Sequence, residues 1–143
     1  MTPGQIDELK RDEGLRLHPY VDTVGKTSIG YGRNLTDNGI RLAEADMLLN
    51  NDINSAMTEC SIWPWYRSLD PVRKGVIEQL VFNMGPYAVS GFRRMIACIE
   101  RGDYAGASAE LLASEWARQV QHERSARLAA QLAGGNDGLA TGA

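Results

Sequence analysis

The sequence predicts an α+β fold: a small antiparallel sheet near the N-terminus joined by a long helix to an all-helical C-terminal part. Three observations carry that reading. Residues 15–32 alternate and turn like a hairpin, residues 40–60 hold apolar side chains at helical spacing without Pro or Gly, and four shorter helical patterns follow residue 85.

The first helix starts at Thr2, whose oxygen can cap free amides, with Pro3 preset for the first turn. Ile6 and Leu9 share a face that Glu13 continues, before Gly14 supplies a stop. The pattern thus predicts a carboxylate at the end of an inward-facing stripe, a costly position unless the group is paired or protonated. From Leu15 the chain alternates, turns at "DTVGK" and returns through "TSIGYGR". Gly30 and Gly32 interrupt the returning strand, which predicts clearance for another backbone or a ligand.

"IRLAEADMLLNNDINSAMTEC" is the long helix, and "SIWPWYRS" breaks it. Asp70 and Pro71 then cap a helix through Val72, Val76, Leu80 and Val81 that stops at Gly85. Shorter helices are expected in "SGFRRMIACIERG", "DYAGASAELLAS", "SEWARQV" and "HERSARLAAQLA". Residues 134–143 are small and polar and are expected to form a flexible tail. The whole is read as one domain, residues 1–143. Its N-terminal lobe covers about 12–52, and the N-terminal helix is assigned to a C-terminal lobe of about 60–133.

With 143 residues and 43% apolar content, the chain can bury one core. A net charge of −3 speaks against sequence-independent binding to nucleic acid, and no window is apolar enough for stable membrane insertion. Cys60 and Cys98 lack metal-ligand spacing and read as reduced core thiols; His18 and His122 lack partners at such spacing, so neither a metal nor a cofactor is expected. Trp116 reads as core, and Trp63 and Trp65, flanking Pro64, as packing rather than sugar platforms.

The chemistry concentrates around Glu13 and Asp22. An apolar setting raises a carboxyl's pKa while a polar turn keeps one ionised, and two such groups facing one cleft can divide glycosidic hydrolysis between them. Ser28 brings a hydroxyl near Asp22, so the two could hold a water molecule.

"DEGLRLHPYVDTVGKTSIGYGRNLT" resembles the active-site segment of the phage-type lysozymes. "YRSLDPVRKGVIEQLVFNMG" is similar to the family's central buried helix, and the likeness continues through "HERSARLA" to about Ala133. The resemblance implies a lysozyme-like fold and a muramidase without a cofactor, with Glu13 as general acid and Asp22 as second catalytic carboxylate. Ser28 stands where the family has a threonine that orients water; serine keeps the hydroxyl but loses the methyl that restricts its rotamer. Thr27, on the opposite face of the strand, should not replace it.

By the same resemblance, Asn34, Leu35, Phe82 and Asn83 are expected to border the sugar cleft, Asn83 as a sugar contact or else as a core amide, and Arg124, or Arg127 if the spacing shifts, is expected to pair with the glutamate. Arg33 and Asp52 match a pair tying the sheet to the long helix. The expected partners are bacterial peptidoglycan and a holin, for a monomer held in the host cytoplasm before it acts on the wall from the periplasm. A non-hydrolytic wall-binding or virion structural domain and a lytic transglycosylase are the alternatives.

Overall fold

A computed structural model describes residues 1–140, in two compact units, one from Met1 to Leu48 and one beginning at Leu49. The first unit runs α1 (Pro3–Glu13), β1 (Arg16–Val21), β2 (Thr27–Gly30), β3 (Arg33–Asn34) and α2 (Leu35–Asn38). It also takes in the start of α3 (Leu42–Cys60), which continues past the division. Thr2 and Gln5 form the capping box of α1: Thr2 Oγ1 accepts the Gln5 N–H at 3.3 Å and Gln5 Oε1 accepts the Thr2 N–H at 2.9 Å.

The three strands form one antiparallel sheet in the order β1-β2-β3. Val21 faces Thr27 and Tyr20 faces Ser28, but the next pair is Arg16 with Gly30, so β1 bulges between Arg16 and Tyr20. Pro19, which has no N–H to donate, lies inside that irregularity. Ser28 and Ile29 pair in turn with Asn34 and Arg33.

Two expectations for α1 are corrected. None of its residues is buried, Ile6 and Leu9 being 41% and 43% exposed, so Glu13 does not end a buried stripe. Two apolar side chains in eleven residues do not make the broad stripe that seats a helix on a core. Nor does α1 group with the C-terminal lobe. Its last turn meets the turn between β2 and β3, where Lys10 Nζ sits 5.8 Å from the Tyr31 ring centre and the Glu13 carboxylate lies against Gly32.

The second unit comprises the rest of α3, then α4 (Pro64–Arg67), α5 (Pro71–Met84), α6 (Pro86–Ser90), α7 (Arg93–Glu100), α8 (Tyr104–Leu112), α9 (Glu115–Gln119) and α10 (His122–Ala140). Asp70 caps α5 by accepting the Val72 and Arg73 N–H groups, both at 3.1 Å, and α5 buries Val76, Ile77, Leu80 and Val81. Met95, Cys98 and Ile99 of α7, Ala107 and Leu111 of α8, Trp116 of α9, and Leu128, Ala129 and Leu132 of α10 pack into the same core, with Ala56, Cys60, Tyr66, Leu69 and Val89. Trp63 and Trp65 stack at 5.1 Å and pack on it half-buried, as expected. Cys60 and Cys98 are free and buried; burial, with Glu78 and Glu59 adding to it, pushes the Cys60 thiol up to about 12.

Arg73 joins α5 to α10. Its guanidinium donates to the Leu132 and Ala133 carbonyls at 2.7 and 2.6 Å, pairs with Asp70 at 2.8 Å and lies 3.6 Å from the Tyr104 ring centre. The tail expected from residue 134 is a correction as far as Ala140. α10 runs through that stretch after a break at Gly135, while residues 141–143 lie outside the described residues. The break fits the clamp, because a Cβ at Gly135 would fall 2.4 Å from Arg73 Nη1.

Candidate active site

Asp22 closes the hairpin with its own side chain. Its Oδ1 accepts the Val24 N–H at 3.0 Å and the Lys26 N–H at 2.8 Å, its backbone N–H donates to the Lys26 carbonyl, and Gly25 takes a φ of 82° in the turn. One carboxylate oxygen is thereby fixed as a turn cap, which orients the other.

Ser28 lies one pair inward from that turn and is 3% exposed. Side chains alternate along a strand, so Tyr20 and Ser28 share a face, and continuing the alternation places Asp22 on it too. Thr27 pairs with Val21 on the other face, as the sequence predicts.

Glu13 stands at the C-terminal end of α1, exposed, with its carboxylate against the turn that follows β2. Gly32 makes this approach possible, since a Cβ there would fall 2.9 Å from Glu13 Oε2, and its φ of +82° is one that side chains rarely adopt. The clearance expected at Gly30 is different. Nothing lies within 4 Å of a Cβ there, so Gly30 serves the backbone, through a φ of +69°.

Arg33 does tie the sheet to the long helix, but not through Asp52. Its two terminal nitrogens reach Glu44 Oε2 and Oε1 at 2.8 and 2.7 Å in a bidentate pair, and it also donates to the Gly39 carbonyl. Glu44 additionally accepts the Arg41 N–H at 2.7 Å, the reach-back half of a capping box at the start of α3. The hydrogen bonds from Arg33 and from the Arg41 backbone hold the Glu44 carboxyl down at about 2. Asp52 belongs to the second unit, where it lines a hollow of about 390 Å³ with Ser55, Glu59 and Phe82.

Asn34 is engaged as the cap of α2: its Oδ1 accepts the Asp37 N–H at 3.0 Å and its Nδ2 donates to Asp37 Oδ2 at 2.9 Å. Leu35, the first residue of α2, is half-buried. In the second unit, Phe82 is 48% exposed and shares a concave surface of about 360 Å³ with Arg124, Ile53 and Glu78. Arg127, the alternative to Arg124, is exposed on α10. Asn83 has its Oδ1 committed to the indole N–H of the buried Trp116 at 2.8 Å.

The sequence reading missed three contacts: Glu44 as the partner of Arg33, the Thr36 hydroxyl that accepts the Thr27 N–H, and the Tyr66 hydroxyl bonded to Glu78. Only the first had a local signal, a glutamate at the third position of a helix that follows a glycine.

A three-stranded antiparallel sheet in the first unit and helices throughout the second make this an α+β, lysozyme-like fold. The chain belongs to the phage lysozyme family: the family model described as Phage lysozyme matches residues 10–131. Membership makes it a lysozyme-like glycosidase of the cell-wall-degrading kind. Probable T4-type lysozyme 2 of Dictyostelium discoideum is 30% identical, over 84% of this chain and 88% of its own length. An endolysin of Acyrthosiphon pisum secondary endosymbiont phage 1 is 32% identical over 77% and 75%, respectively. The pre-baseplate central spike protein of Enterobacteria phage T4 is 27% identical over 85% of this chain, which corresponds to 26% of that protein.

Proposed function

We propose that this protein is a muramidase that hydrolyses the β-1,4 bond between N-acetylmuramic acid and N-acetylglucosamine in bacterial peptidoglycan. Glu13 donates a proton to the departing glycosidic oxygen. Asp22 and Ser28 hold a water on the opposite face of the sugar, and the proton that water loses passes to Asp22. Attack from that side inverts the anomeric centre. The observation that carries the reading is the hairpin turn that the Asp22 carboxylate itself locks, one strand pair from the buried Ser28. Phe82 and Arg124, on their shared surface in the second unit, are the further candidates for sugar contact. Asn83 retains its Nδ2 for a sugar acceptor, and Leu35 supplies apolar contact.

In this reading the protein is a monomeric endolysin that a holin releases from the host cytoplasm. A virion-associated role is the second reading, favoured by the similarity to a spike protein. Clearing of permeabilised Gram-negative cells tests the chemistry: Glu13→Gln should lose at least about a hundredfold, as expected when a positioned general acid is removed. Equal clearing by wild type and variant would end the hydrolase reading. NMR of the fresh product should show inversion, and an anhydro sugar in the digest would instead identify a lytic transglycosylase.

A further inference from the structure

Beyond Leu35, the one-turn helix α2 takes no part in the reaction as written above, yet its Thr36 and Asp37 side chains grip the segment between Asp22 and Ser28. β3 ends at Asn34, opposite Ser28, so Thr27 lies one position beyond the paired residues on that side of β2. Thr36 supplies the missing acceptor: its Oγ1 takes the Thr27 N–H at 2.9 Å. A side chain thus extends the ladder where the strand has stopped. One residue further along α2, Asp37 Oδ1 pairs with Lys26 Nζ at 3.0 Å, and Lys26 is the residue whose N–H donates to Asp22 Oδ1. The helix is itself pinned at both ends, by the Asn34 cap and by the Gly39 N–H returning to the Leu35 carbonyl at 3.0 Å.

We propose that Thr36 is a positioning residue: by holding Thr27 it fixes the start of β2 relative to the Asp22 turn, and so sets the gap between the Asp22 carboxylate and the Ser28 hydroxyl. This rests on the hydrolase reading, in which a water is held across that gap. Both contacts lie at the surface; the Lys26–Asp37 ion pair is screened there, and the Thr36 hydroxyl makes the directional contact with the strand backbone. Ser28 lacks the methyl that would restrict its own rotamer, so the placement of its backbone counts for more here.

The test is steady-state release of reducing ends from soluble glycan strands by wild type, Thr36→Val and Thr36→Ser, with amide exchange at Thr27 followed by NMR. Thr36→Val should lower kcat about 10- to 100-fold, the scale set by a small misplacement of catalytic groups, with KM within about twofold and faster exchange at Thr27. Thr36→Ser keeps the acceptor and should recover kcat to within about threefold of wild type. An unchanged kcat in folded Thr36→Val, or equal losses in both variants, would overturn the inference. If Thr36→Val does not fold, slow Thr27 exchange in wild type and Thr36→Ser supports the hold, and exchange at the rate of a free amide overturns it. A wild type that releases no reducing ends removes the hydrolase reading and this inference together, whereas an active wild type with an unaffected Thr36→Val removes the inference alone.

Discussion

Different physics stabilises each of the two units. Among the described residues, every buried hydrophobic side chain belongs to the second unit, from Ala56 to Leu132, while the buried residue of the first is a serine, Ser28. The first unit is organised instead by directional contacts: the Asp22 turn cap, the Thr36–Thr27 bond, the Asn34 cap of α2 and the Arg33–Glu44 pair. Apolar burial is strong and indifferent to direction, whereas hydrogen bonds contribute less each but fix where atoms stand. The unit that carries both candidate carboxylates is thus specified by geometry more than by a core.

The hardest test of this contrast is Leu132→Ala. Leu132 is fully buried, so its truncation should cost about 2–5 kcal/mol in urea unfolding followed by circular dichroism. A loss below about 1 kcal/mol would break the claim that packing sustains the second unit.

Next in size is Gly32→Ala. The added methyl meets the Glu13 carboxylate in a conformation unfavourable to alanine, so a cost of about 1–3 kcal/mol is expected. Activity should fall along with stability. A variant as active as wild type would show that the approach of Glu13 to this turn is not the working geometry.

The smallest effect at neutral pH, and the one that sharpens the comparison most, is Glu44→Gln. The folded Glu44 carboxyl titrates at about 2, below its ordinary value of 4.5. Its contribution is therefore fully present above that ordinary value and is lost as the pH falls through the folded one. Thermal melts of wild type should weaken over that acid window, and Glu44→Gln should flatten this limb. Identical acid limbs in the two proteins would remove the Arg33–Glu44 pair from the account.

Much of the fold was legible because its signals are local. Thr2–Pro3, Asp70–Pro71 and the Gly85 stop mark helix ends by what those residues can and cannot do with backbone N–H groups, and the hairpin followed from alternation around "DTVGK". The helices α2, α4 and α6 escaped, since four or five residues are too few to show a period. At the candidate site, the return of Ser28 toward the Asp22 turn was readable from the hairpin pattern, and the opposite facing of Thr27 from strand alternation. The partner of Arg33 was not, because Asp52 and Glu44 are both acids of the same helix and only the course of the chain around Gly39 brings one of them within reach.

By itself, then, the sequence determined where helices start and stop, which stretch forms the hairpin and which side chains can do acid-base chemistry there. These depend on neighbours a few residues apart, and covalent geometry keeps such neighbours together in any fold. Tertiary structure alone decided that Glu13 is exposed beside Gly32, that Asn83 holds Trp116, and that Thr36 completes the ladder at Thr27. Each of those contacts joins residues that the chain must first bring together, and a linear pattern of residue types carries no record of which distant acceptor a given donor will meet.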